Sequence, residues 1–430
     1  MNTMKKNDIA LTAIGKRWFR GGDRRSLILC SLSVCCAIFF FFCCGVQYCF
    51  DSSSYIDAWD YFSVGRIDVC RTPVYPVFLG VLKTLFGQRF DLAAVCIQYL
   101  VYLLSIRSFY QILSAFNIPK SVGFWLTLIY LCPMVWCSFI YTESLAVSGT
   151  VFLLQSALLL YRKCSFARGA IFALVLLLLV FFRPAFIYLL PMLFVWWILA
   201  AVAKKQKRSA GYGLAAVATV CILMLAYMKT YEKAYGIFSM TNVGVINQVA
   251  VVVRHNFLDL EEIEQDAVRP YFEQAVENQG LGFDLGIEGN TLNGIQTELN
   301  ALYRRHAVQY LRSIFGRLCA SSGETLFFVN LYTIGALFDL FSPRASSLYL
   351  LLVFYTILLI RSVMKRRSLS MSLSILLYMW IIAHIATAII GSDKDFGRLF
   401  LPVLPIWVLM LGQVCTMFGK ARSADDVLQE

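Results

Sequence analysis

The sequence predicts an all-α polytopic membrane protein, with about ten transmembrane helices, two interfacial helices on its outer face and a small extracytoplasmic region. Three observations lead there. Of 430 residues, 59% are hydrophobic and only 15% charged, against roughly 25% charged in a soluble domain. Mean hydropathy is +0.68. The apolar residues fall in long runs punctuated by basic clusters, the pattern of spans flanked by orientation signals. A soluble core could not hide so much apolar surface, because even a large soluble domain leaves about a quarter of its unfolded surface exposed.

A spanning helix needs about 20 apolar residues. Runs near that length lie at 27–48, 92–110, 121–140, 144–161, 167–183, 185–202, 210–230, 346–361, 369–390 and 398–417. The first follows Lys5, Lys6, Lys16, Arg17, Arg20, Arg24 and Arg25. It resembles a signal peptide in order, but its length and lack of a small-residue cleavage site predict an uncleaved anchor. Two further apolar stretches are harder to place: 73–87 is short and holds Pro73, Pro76 and Lys83, and 324–341 holds Glu324, Asn330 and Asp339. Charge decides between them. If both lie on the outer surface, Lys120, Arg162–Lys163, the 204–208 and 361–367 clusters and Lys420–Arg422 all fall on the cytoplasmic side. The chain then divides into a basic cytoplasmic N-terminus (1–26), an N-terminal transmembrane module (27–230) with its first outer loop (49–91), an extracytoplasmic region (231–345), C-terminal spans (346–417) and a cytoplasmic tail (418–430). Both termini are expected in the cytoplasm, and the chemistry on the periplasmic or exterior side of a cytoplasmic membrane.

The net charge of +12 sits at span ends rather than on one binding face, which excludes a nucleic-acid partner. Of 14 cysteines, six lie between 30 and 49, in the first apolar run and just past its end, where they pack as small hydrophobes. No paired C-x-x-C spacing points to zinc. Cys70 and Cys319 are expected outside the membrane, where a disulfide between them could form.

The first outer loop reads F-D-S-S-S-Y-I-D-A-W-D-Y-F-S-V-G-R-I-D-V-C-R-T-P-V-Y-P over 50–76. Asp51 leaves a span directly, where a carboxylate has no inexpensive partner. Tyr55 and Trp59 share one helical face. The ordinary reading is an acidic residue ending a span, followed by an amphipathic helix. The order of elements points further: a span, D-x-x-x-Y, a glycine, R-T-P-x-Y-P, then an apolar stretch ending L-F-G. This order resembles the C-type (GT-C) membrane glycosyltransferases, in particular the bacterial relatives of lipid A aminoarabinose transferases and protein O-mannosyltransferases (glycosyltransferase family 39-like). I-Y-T-E-S at 140–144, F-R-P at 182–184 and G-R-L-F-L-P-V-L-P at 397–405 match the family more loosely, in the same order. Several branches carry two adjacent acidic residues in the first loop, whereas here Ser52 follows Asp51.

The resemblance implies an inverting glycosyltransferase that moves a sugar from a polyprenyl-phosphate donor to a lipid, glycan or protein acceptor. It places Asp51 in the catalytic site as general base, alone or with Asp57 or Glu143. Arg66, Arg71, Arg183 and Arg398 are the candidates for the donor phosphate, since guanidiniums bind phosphate oxygens in bidentate fashion. For each arginine the competing role is snorkelling toward headgroups, and Asp393 or Asp395 could equally partner Arg398. Tyr55 and Tyr75 are expected at the aromatic interface. His255, His306 and His384 show no ligand spacing; no cofactor is expected, although a divalent metal on Asp51 and Glu143 stays open. Membrane lipids and an unknown acceptor complete the expected partners. The alternatives are a transporter or flippase of lipid-linked glycan, which would carry polar residues near the membrane midplane, and a glycan polymerase or ligase.

Overall fold

A computed structural model describes residues 24–202, 207–280, 289–324, 344–364, 368–392 and 396–427. Among these the secondary structure is helical, apart from one isolated parallel bridge between Gln47 and Phe139. The first half comprises α1 (Arg24–Cys44), α2 (Ser52–Ser63), α3 (Val74–Phe86), α4 (Phe90–Ala115), α5 (Lys120–Leu131), α6 (Glu143–Arg162), α7 (Phe166–Phe182), α8 (Leu189–Val202) and α9 (Lys207–Tyr235). There follow α10 (Val243–Arg254), α11 (Arg269–Glu277), α12 (Gly289–Arg305) and α13 (Ala307–Ser321). The chain closes with α14 (Ala345–Met364), α15 (Ser368–Gly391), α16 (Phe396–Phe400) and α17 (Leu404–Val427).

Eight helical segments are long and apolar enough to cross a membrane, and α7, α10 and α14 are shorter apolar helices. Each of the ten expected spans falls on one of these eleven, and α10 lies in the region expected outside the membrane. Their outward surfaces carry Phe42, Ile171, Ile222, Ile357 and Ile360 exposed. In water such a surface would be an aggregation site; in lipid it is the solvated one. The second expected interfacial stretch, 324–341, lies almost wholly outside the described residues, as do Lys204, Lys205, Lys365, Arg366, Arg367, Asp393 and Asp395. Cys70 and Cys319 are both free thiols, so the disulfide considered from sequence does not form.

Three spans depart from continuous helix, each at a proline that cannot donate a backbone hydrogen bond. Pro133 starts the 3₁₀ stretch Cys132–Ser138, Pro184 opens Pro184–Tyr188, and Pro402 lies in Leu401–Val403. Irregular backbone within a membrane protein is tolerated where it is buried in protein or lines a cavity. Here each break lies within a few residues of a candidate site side chain, Glu143, Arg183 or Arg398.

The loop between the first two expected spans folds as α2 and α3 packed on each other. Gly80 permits their approach: a Cβ there would lie 1.9 Å from Trp59 Cδ2. Gly80→Leu should therefore push the two helices apart and lower the thermal unfolding midpoint of the purified protein in detergent. A midpoint equal to wild type would show that the loop does not depend on this seat.

Beyond α9 a second apolar cluster forms from Tyr231, Val245, Val249, Val252, Phe272, Ile295, Leu299 and Leu302, drawn from α9 to α12. Their spacing on α10 is helical, and burying one face of each helix holds the group together. It is tied to the end of α15, where Asn247 donates to Gly391 O at 2.8 Å. Arg317 on α13, 2% exposed, donates to Ser392 O at 3.1 Å and Ile390 O at 3.4 Å. A buried cation over helix C-terminal carbonyls meets the negative end of the helix dipole.

Candidate active site

The site starts where α1 ends. Backbone groups there have lost their helical partners and must find others. Gln47 N donates to Ser138 O at 2.8 Å, and Ile140 N donates to Gln47 O at 2.9 Å. Ser52, the residue after Asp51, receives Cys49 N at its hydroxyl (2.7 Å) and donates that hydroxyl to Ile140 O at 2.8 Å. These bonds stitch 47–52 to 138–140 and set Asp51 against Tyr141, whose hydroxyl donates to Asp51 Oδ2.

Arg71 arrives from the other side of the loop. Asp68 Oδ1 accepts the backbone N–H groups of Cys70 (2.9 Å) and Arg71 (2.6 Å), a side-chain turn that fixes the chain before R-T-P. Burial pushes the Asp68 pKa up, with these backbone bonds opposing it. Arg71 Nη2 then lies 3.0 Å from Asp51 Oδ1, and its Nε donates to Ser54 Oγ at 2.8 Å. Its guanidinium also sits 4.2 Å above the Tyr55 ring, a cation–π contact that costs it less desolvation than an apolar wall would. Tyr55 stands edge-on to Tyr75 and Tyr141, at 5.1 and 5.9 Å between centroids. Tyr75 donates to Gln98 Oε1 at 3.0 Å, and Gln98 Nε2 donates to the carbonyls of Cys137 and Phe139. The buried glutamine thus ties α3 and α4 to the segment that delivers Tyr141 and Glu143.

Glu143 opens α6 with its side chain fully buried. Arg183, ending α7, places Nη1 3.1 Å from Glu143 Oε1, and Arg398 of α16 places Nε 3.9 Å from the same oxygen. Arg398 Nη1 donates to the Tyr141 hydroxyl and lies 3.7 Å from Asp51 Oδ2. Arg398 thereby bridges both carboxylates. The ends of four spans meet here, on one end of the bundle.

Three guanidiniums face two carboxylates in this cluster. Burial opposes the charge on Asp51, but Arg71, the Tyr141 hydroxyl and Arg398 together outweigh it and hold its pKa below the ordinary carboxylate value. Burial and Glu143 push the Tyr141 phenol well above its ordinary value, so it remains a hydroxyl donor. Thr142 Oγ1 donates to Glu143 Oε2 at 3.3 Å, so all four carboxylate oxygens already receive a donor. A divalent metal on Asp51 and Glu143 would have to share these oxygens with the Tyr141 and Thr142 hydroxyls and stand beside three guanidiniums. No cluster of three metal-ligating side chains occurs among the described residues.

The structure gathers Asp51, Glu143, Arg71, Arg183, Arg398, Tyr55 and Tyr75 into one connected group. Asp57 and Arg66 are exposed, and neither makes an ion pair with the cluster among the described residues; both lie on the outward side of the α2 region, away from Asp51. Tyr141, Gln98 and Asp68 belong to the site's framework but were not singled out from sequence. Tyr141 was reachable, standing two residues before Glu143 in the quoted I-Y-T-E-S. Asp68 was reachable too, as the start of a local turn onto Cys70 and Arg71, whereas the partners of Gln98 stand 23 to 41 residues away and only the fold brings them near.

No family model and no curated protein matches the sequence. The fold does match solved structures. The apo oligosaccharyltransferase of Archaeoglobus fulgidus is similar with a TM-score of 0.52 at 14% identity, covering 96% of this chain and 52% of that one. The same archaeal enzyme tethered to an acceptor peptide containing the NVT sequon gives 0.52 at 12% identity, covering 94% and 50%. The chain thus spans about half the length of these structures. The likeness is one of fold, and it agrees with the GT-C resemblance of the first-loop motif.

Proposed function

We propose that this chain is an inverting glycosyltransferase that moves a sugar from a polyprenyl-phosphate donor to a lipid, glycan or protein hydroxyl at the outer face of the membrane. The observation that supports it most is the meeting of Arg71, Arg183 and Arg398 on Asp51 and Glu143 at span ends. A lipid-linked phosphate cannot leave the bilayer, so its protein partners must stand at the membrane edge. Guanidiniums held in excess over carboxylates offer such a phosphate preorganised charge. The fold-likeness to an oligosaccharyltransferase points the same way.

The two carboxylates have separable roles. Glu143 is fully buried and anchors two arginines; Asp51 keeps 27% of its side-chain surface exposed and alone can meet an incoming hydroxyl. The acceptor oxygen attacks the anomeric carbon opposite the phosphate, a new C–O bond forms, and the sugar–phosphate C–O bond breaks. The leaving electron pair goes to the phosphate oxygen, steadied by the arginines, and the acceptor proton goes to Asp51. An oxocarbenium-like transition state acidifies that proton late, so a carboxylate of lowered pKa suffices.

Transfer of labelled sugar from a panel of polyprenyl-phosphate donors, in membranes holding the protein, tests the reading. Absence of transfer from a normally inserted wild type would sink it and favour a transporter. Within the assay, Arg398→Ala should raise the donor KM about tenfold or more while leaving the acceptor KM in place, because one charge-assisted phosphate contact contributes roughly 1.5–3 kcal/mol. An unchanged donor KM would return Arg398 to snorkelling.

A further inference from the structure

His384 lies in the middle of a buried strut between the two arginines that share Glu143. It stands on α15 with 4% of its surface exposed. Its Nε2 is 2.6 Å from Leu399 O, and its Nδ1 is 2.8 Å from the Tyr188 hydroxyl. A carbonyl can only accept, so Nε2 carries the proton; Nδ1 then offers a lone pair and the tyrosine donates to it. One tautomer satisfies both neighbours. The ring is further held by Phe186 and Tyr188, with centroids at 6.3 and 5.4 Å.

What the imidazole joins is the point. Leu399 directly follows Arg398. Tyr188 closes the 3₁₀ segment that begins at Pro184, immediately after Arg183. Arg183 and Arg398 in turn converge on Glu143 Oε1, at 3.1 and 3.9 Å. A ring of contacts therefore closes: Glu143, Arg183, the Pro184–Tyr188 turn, His384, the Leu399 carbonyl, Arg398 and back. The imidazole thus joins the Arg398 segment to the Arg183 segment by hydrogen bonds outside the charged site. The same helix is pinned about two turns further on by Arg317 and Asn247, so His384 acts from a fixed base.

We infer that His384 is a positioning residue that sets the separation of Arg183 and Arg398, and with it the geometry of the phosphate subsite. The kinetic consequence rests on the function proposed above; the strut itself does not. Two substitutions divide its bonds. His384→Leu removes both hydrogen bonds and keeps comparable volume, whereas His384→Gln retains an amide that can donate to Leu399 O. Tyr188→Phe removes only the hydroxyl.

The experiment is a thermal-unfolding cycle in detergent over wild type, His384→Leu, Arg398→Ala and the double variant, run beside donor and acceptor kinetics. The double variant should unfold at a temperature above that given by adding the two single shifts, because the strut has nothing left to position. Strictly additive shifts would overturn the strut, whether or not the protein transfers sugar. In kinetics, His384→Leu should lower kcat/KM for the donor about tenfold or more, as a displaced substrate-binding group does, with the acceptor KM unmoved. His384→Gln should recover most of that loss and Tyr188→Phe should fall between. An equal loss for donor and acceptor, or no recovery with glutamine, would overturn the positioning role. A wild type silent with every polyprenyl-phosphate donor overturns the proposed function instead, and the unfolding cycle still decides on the strut.

Discussion

Asp51→Asn is expected to reduce sugar transfer by on the order of a thousandfold, the middle of the range for loss of a general base, while membrane insertion is preserved. The amide keeps the size of the carboxylate and can still receive the Tyr141 hydroxyl, but it cannot take a proton from an acceptor. It also removes one of two negative charges from beneath three guanidiniums. The pH profile offers a second view of the same group. Its folded pKa lies below the unfolded value of about 3.9, so its contribution to stability is fully present above that value and is lost as pH falls through the lower folded value. The wild type should therefore show no acid limb from Asp51 between neutrality and about pH 4. An acid limb near neutral pH that disappears in Asp51→Asn would overturn the lowered pKa, and one that persists in the variant would belong to another group; a variant with wild-type turnover would remove Asp51 from the role of base.

Glu143→Gln should have the largest effect on stability among site variants. Its carboxylate is buried and receives Arg183 and Arg398 on one oxygen. Removing its charge leaves two guanidiniums, 14% and 25% exposed, without their shared counter-ion. Breaking a buried pair in this way costs on the order of 3 kcal/mol. The unfolding midpoint should fall clearly below wild type, and donor binding should weaken in parallel as both arginines lose their anchor. A variant with wild-type stability and a normal donor KM would show that the arginines are fixed by backbone alone. This outcome differs from that expected for Asp51→Asn, where turnover falls but the fold and donor site persist. The contrast separates an anchoring carboxylate from a reacting one.

Much of the architecture was legible in the sequence because membrane spans are a one-dimensional signal. Length, apolarity and flanking charge determine them, and each expected span has its helix. Asp51, Glu143, Arg183 and Arg398 were legible because they stand at span ends, where a charged residue is conspicuous against apolar neighbours, and Arg71 because it opens R-T-P-x-Y-P in the first loop. Arg66 and Asp57 were equally conspicuous, yet both face outward from the loop. Asp57 lies on α2 and Arg66 just after it, both exposed, and neither makes an ion pair with the cluster among the described residues. Tyr141 was passed over because a tyrosine near a membrane interface is commonplace. His384 was set aside for lack of ligand spacing, a criterion that finds metals and misses struts. Its partners are a carbonyl 15 residues on and a phenol 196 residues back.

The bonds that hold Asp51 opposite Tyr141 and Glu143 run largely between main-chain atoms of 47 and 138–140. Main-chain donors and acceptors are common to every residue other than proline, so the side chains at 47, 138 and 139 can drift over evolutionary time without altering the distance between the two carboxylates. The spacing is inherited through chain length and register rather than through residue identity. Homologous sites could then preserve their geometry with little sequence in common, and a search built on residue matches would pass over them.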